Sequence, residues 1–89
     1  MTLTRYEFTS AVTALLGIAR LMGRQHLDIN AGKLHRYLGD YPNPKRHRMP
    51  VCCQVMRDAM RPGDLILMQP RKGAGASLTI RYFLESSSN

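Results

Sequence analysis

Along the first two dozen residues, apolar side chains recur every three or four positions: Phe8, Val12, Leu15, Leu16, Ala19 and Met22, with Ser10, Thr13, Gly17 and Arg20 on the other side. That period describes a helix with one face turned inward. Thr4-Arg-Tyr-Glu7 ahead of it fits a capping box, in which the hydroxyl covers a first-turn amide and the Glu side chain reaches back to the cap. With Gly23 placed to end it, the helix is expected over about residues 5–22.

The pattern then shortens. After RQHLDI, Asn30 can cap a second helix over about residues 31–38, with Leu34, Tyr37 and Leu38 inward, Lys33, His35 and Arg36 outward, and Gly39 at its end. Leu27-Asp-Ile29 is a short candidate strand, and GDYPNPK, with its two prolines, reads as a turn segment. Pro50 would break a helix interior but costs nothing at the first helical position, so a third helix is expected from Pro50 to about Met60. At 100° per residue, Val51, Cys52, Val55, Met56, Ala59 and Met60 gather on one side of it. Pro50, Cys53, Gln54, Arg57 and Arg61 gather on the other.

Past Arg61-Pro-Gly-Asp64, a stop and turn, the period changes to two. Asp64–Gln69 contains LILM, and Ser77–Leu84 alternates Leu78, Ile80, Tyr82 and Leu84 on one face with Thr79, Arg81 and Phe83 on the other. PRKGAGA between them is a hairpin tip. The pattern therefore predicts an α+β fold, three helices followed by a C-terminal β-hairpin, in one domain over residues 1–85 with a frayed, disordered tail at 86–89.

Composition agrees with a folded chain: 44% hydrophobic and 21% charged residues, with a length of 89 that leaves room for one modest core. No apolar run approaches the roughly 18–20 residues of a membrane span. The N-terminus lacks the basic-then-apolar order of a signal peptide. Cys52 and Cys53 are adjacent, which suits free thiols in a reducing compartment better than a disulfide framework. A cytoplasmic protein is the expectation.

Charge changes the picture most. Thirteen Lys and Arg against six Asp and Glu give a net charge of +7, which favours nucleic acid, an anionic membrane or an acidic protein as partner. The cations cluster. Lys45, Arg46, His47 and Arg48 run directly into the N-terminus of the third helix, whose amides attract phosphate, and the outer face of that helix presents Gln54, Arg57 and Arg61. Arg makes bidentate contacts to guanine and Gln to adenine in the major groove. Arg71 and Lys72 on the glycine-flanked hairpin tip add an accessible pair of phosphate contacts. A solvated loop followed by a surface helix would use the same residue types, so the combination carries the argument more than any single residue.

In order of elements, over about residues 4–84, the chain resembles the winged helix-turn-helix family. The resemblance implies that the third helix enters the major groove of double-stranded DNA and that the hairpin is a wing on backbone or minor groove. Gln54, Arg57 and Arg61 would then contact bases, and Lys45, Arg46, His47, Arg48, Arg71 and Lys72 would contact phosphates. Such a protein is expected to be a non-enzymatic, cofactor-free DNA-binding domain, a transcriptional regulator or DNA-associated accessory factor. One recognition helix reads few base pairs, so a homodimer joined through the first helix or the C-terminal strand would extend the site.

Other chemistries find less support. Adjacent cysteines point to different sides of a helix and lack the spacing of zinc ligands, even with His35 and His47 in the chain. Cys52 fits the core; Cys53, if exposed beside the cations, could be a redox-sensitive thiol. No motif places a Cys, a His and an acid together for nucleophilic catalysis. His26, His35 and His47 are expected at the surface, and His47 would bind phosphate more strongly below about pH 6.5. The main competitor is a protein that docks on a nucleic-acid-handling complex and inhibits it, in the manner of anti-CRISPR proteins, because a cationic patch fits an acidic protein surface as well as DNA.

Overall fold

The computed structural model describes residues 3–39 and 48–84. Helix α1 spans Arg5–Leu21, strand β1 His26–Asn30, helix α2 Ala31–Leu38, helix α3 Met49–Asp58, strand β2 Leu65–Met68 and strand β3 Thr79–Phe83. The strands form one antiparallel sheet in the order β1-β3-β2. The hairpin is thus joined by a third strand from between the first two helices, where LDI had suggested a short one. The fold is α+β, with strands that are not all C-terminal. The tail at 86–89 lies outside the described residues.

Local chemistry explains most boundaries. The backbone N–H and hydroxyl of Thr4 both donate to the Glu7 carboxylate, closing the start of α1. Gly23 ends that helix at φ +77°, a conformation that only glycine adopts without strain. Asn30 does two jobs: its Oδ1 accepts the Lys33 N–H at 3.0 Å to cap α2, while its Nδ2 donates to the Thr79 hydroxyl at 3.0 Å on β3. Pro50 sits in the first turn of α3, where the missing N–H costs no hydrogen bond.

One core joins the helices to the inner face of the sheet. Phe8, Val12, Leu16 and Ala19 of α1 meet Leu34 of α2, Cys52, Val55 and Met56 of α3, and Leu78, Ile80, Tyr82 and Leu84 along β3. The alternation along β3 is as the sequence implies. The Tyr82 hydroxyl donates to the Met56 carbonyl at 2.7 Å, satisfying a carbonyl near the end of α3 that the helix itself leaves open. Burial also pushes this phenol above its ordinary pKa.

Four expected orientations are reversed. Met22, the C-cap of α1, is exposed. Tyr37 is 82% exposed at the rim of a groove between α1, β1 and α2. His35, expected outward, is fully buried. Its Nε2 accepts the Arg48 N–H at 2.8 Å, so its proton sits on Nδ1 and is donated to the Gly39 carbonyl at 3.0 Å, while the ring stands edge-on to Phe8 at 5.0 Å. One side chain therefore ties α1, the end of α2 and the cap of α3 together.

Cys53, expected outward, is also fully buried. Its Sγ lies 3.4 Å from both the N–H and the carbonyl of Gly75, on the descending arm of the β2–β3 hairpin. Cys52 is pushed up to about 12 by burial and by its neighbour. Neither thiol is placed for redox sensing, and both are free. A disulfide-exchange reagent at pH 8 is expected to label neither cysteine in the native protein and both in about 6 M urea. Prompt labelling of the native protein would show that the hairpin arm lifts from α3.

Candidate nucleic-acid interface

The hairpin is held against the helices at its base and free at its tip. The Ala31 N–H donates to the Leu78 carbonyl at 2.8 Å and the Gly32 N–H to the Ala76 carbonyl at 3.0 Å, so the first amides of α2 are spent on the hairpin arm. Gly32 suits that closeness: a Cβ there would stand 3.0 Å from the Ala76 Cβ and crowd the hairpin arm. Together with the Cys53–Gly75 contact, these bonds set the hairpin beside α3, with Arg71 and Lys72 exposed at the tip.

The expected base-contact residues fare differently. Gln54 is exposed on α3, but its Nε2 donates to Asp58 Oδ1 at 2.8 Å. Arg57 is half-buried, and its Nη2 is shielded from solvent with no hydrogen-bond partner. Arg61 is exposed but lies beyond the helix, which ends at Asp58 rather than near Met60. The turn that carries Arg61 is fixed by Asp64, whose carboxylate accepts the N–H groups of Arg61 and Phe83, each at 2.9 Å. Of the expected phosphate contacts, Lys45, Arg46 and His47 lie outside the described residues. Arg48 is exposed at the N-cap of α3, and its Nε donates to the Leu3 carbonyl at 3.4 Å.

Two residues on this surface escape a reading by charge runs. Arg5 of α1 pairs with Asp58 of α3 across the outer face. The Gln54–Asp58 spacing of i, i+4 is visible in the sequence, whereas the reach from Arg5 is not. Asp58 is therefore held below the ordinary carboxylate range, first by Arg5 and then by Gln54. The other described carboxylates are engaged too: Glu7 by Thr4, Asp28 by a bidentate contact with Arg81 at 2.8 and 2.9 Å, and Asp64 by the two amides. Among the described residues, no carboxylate neutralises Arg57, Arg71 or Lys72.

These pairings have a pH signature. Glu7, lowered by its bonds from Thr4, Asp28, lowered by Arg81, and Asp58 all titrate below their ordinary values. Their contribution is complete above the unfolded values, near pH 4–4.5, and is lost as pH falls through the depressed folded ones. The thermal midpoint is therefore expected to fall as pH is lowered below the ordinary carboxylate values, and less steeply in Asp28→Asn. The pairs are solvent-exposed, so each effect is small. An equal slope in the variant would remove Asp28 from this account.

Among the described residues no group of three or more His, Cys, Asp or Glu could hold a metal ion, and no helix is long and apolar enough to cross a membrane. No protein-family model, curated protein or solved structure matches the chain, so the chemistry of the surface is read from its own residues.

Proposed function

We propose that the chain is a winged helix-turn-helix domain that binds double-stranded DNA without catalysis, with α3 in the major groove and the hairpin as its wing. The observation that carries the reading is Arg57, a half-buried guanidinium on α3 whose Nη2 is withdrawn from water and left without a partner. A shielded cationic donor is costly unless an anion or acceptor meets it on binding. The sheet order β1-β3-β2, with α2 and α3 preceding the hairpin, supports the winged arrangement. Arg57 and Gln54 read bases in this picture, Gln54 after exchanging Asp58 for a base edge, while Arg61 at the helix end and Arg48, Arg71 and Lys72 neutralise phosphates. Lys45, Arg46 and His47 would extend the same contact.

The test is fluorescence anisotropy of a random duplex and its single strand from about 50 to 300 mM salt. With about five phosphates contacted, the log–log slope for the duplex is expected near −4 to −5. Lys72→Ala is expected to weaken all sequences alike and to flatten that slope by about 1. Flat traces at the lowest salt would overturn the reading and turn attention to an acidic protein or a nucleic-acid-handling complex as the partner of the cationic surface.

A further inference from the structure

β3 lies in the middle of the sheet, so the C-terminal strand offers no edge to a second copy, whereas β1 is open on one side. The ladder fixes which of its groups face out. The Leu84 N–H donates to the Gln25 carbonyl at 2.9 Å and the Ala31 N–H to the Leu78 carbonyl at 2.8 Å, so odd-numbered residues of β1 bond to β3. Even-numbered ones turn their backbone groups away from it. The His26 carbonyl on that side is taken by Arg24 Nε at 3.2 Å, but the Asp28 N–H and carbonyl meet no partner among the described residues. Beside this edge runs the groove between α1, β1 and α2, about 350 Å³ and walled by Leu15, Leu27, Ile29, Leu34 and Tyr37. It is large enough to hold side chains of a ligand. Its polar groups are mostly spent: the Asp28 carboxylate on Arg81, the Asn30 side chain on the Lys33 N–H and Thr79. What remains is the Lys33 ammonium, which no carboxylate among the described residues meets.

We propose that β1 receives an extended acidic segment of a partner protein as an antiparallel fourth strand, paired with Asp28, with alternate apolar side chains in the groove and a carboxylate at Lys33. Each feature selects part of that occupant. A free N–H and a free carbonyl on one residue of an edge strand are the pair that a residue directly opposite exchanges with it. The residues flanking that one lie opposite Leu27 and Ile29 and share their face, and Ile29 is buried toward the helices, so these side chains point to the groove. Lys33 and the net charge of +7 draw an acidic segment and repel a second copy of this chain. The apolar walls offer nothing to the phosphates of a nucleic acid. This contact is separate from the cationic surface of α3 and the hairpin, and it stands whether or not that surface binds DNA.

An amide-shift titration by NMR tests this on the full chain without nucleic acid. The probes are three capped peptides that alternate threonine with valine, leucine or phenylalanine between terminal glutamates, added to about 2 mM. At least one is expected to give saturable shifts at the amides of Asp28, Lys33 and Tyr37. The same peptide N-methylated at its threonines keeps its charge and side chains but loses the donors that face Asp28, and is expected to bind about tenfold more weakly or worse. Lys33→Gln, an exposed change, is expected to weaken the unmethylated peptide about two- to five-fold. Shifts confined to Arg48, Arg71 and Lys72, or equal binding of the methylated peptide, would show attraction by charge alone and overturn the proposal. So would silence at β1 with all three peptides, or shifts at β1 that follow protein concentration without peptide, which would make a second copy the occupant.

Discussion

His35→Ala is expected to cost about 3–4 kcal/mol of stability, read from urea unfolding. The side chain is fully buried, bonds the Arg48 N–H and the Gly39 carbonyl, and fills space beside Phe8. Truncation leaves a cavity and strips two backbone groups of their partner, and the penalties add. DNA affinity is expected to fall with it, since the Arg48 bond fixes the entry to α3. Tyr37→Ala, two residues along and largely exposed, is expected to stay within about 0.5 kcal/mol of wild type. A His35→Ala loss below about 1 kcal/mol would mean that other contacts hold the three helices together without the ring.

Arg57→Met separates stability from binding. It keeps much of the aliphatic stem and removes the shielded, unpartnered Nη2, so unfolding free energy is expected to hold or rise by up to about 1 kcal/mol. Affinity for a preferred duplex is expected to fall about 10- to 100-fold, the cost of about 1–3 kcal/mol for a base-contacting arginine. Arg57→Ala should show the same loss of binding with a stability cost from missing packing. If Arg57→Met lowers stability and leaves affinity on every sequence unchanged, the guanidinium is a structural group and α3 does not read DNA through it.

Local signals carried far into the structure. The Thr4–Glu7 box, the Asn30 cap, Pro50 in the first turn of α3 and the alternation from Leu78 to Leu84 each depend on neighbours a few residues away, and the structure places them as expected. The reversals come from partners distant in sequence. His35 is polar and reads outward, but two backbone groups meet its ring nitrogens inside the fold. Cys53 sits on what a helical projection makes the outer side of α3, yet the hairpin arm covers it, so α3 is packed on two sides. The run of cations was legible in the sequence, whereas the pairing of Gln54, Asp58 and Arg5 was not, because Arg5 lies on another helix.

The position of β3 sets an order of events during synthesis. Among the described residues it is the last element and the only strand that touches both of the others, reaching back to β1 through the Asp28–Arg81 pair across 53 residues. A nascent chain that has not yet delivered Thr79–Phe83 can form its helices but no sheet, and it carries LILM with no strand to lie against. Closing such long-range contacts is slow compared with forming helices. The interval before β3 arrives is therefore when this chain most needs protection from aggregation, and a ribosome stalled short of Thr79 would hold a helical intermediate that chaperones and proteases can recognise.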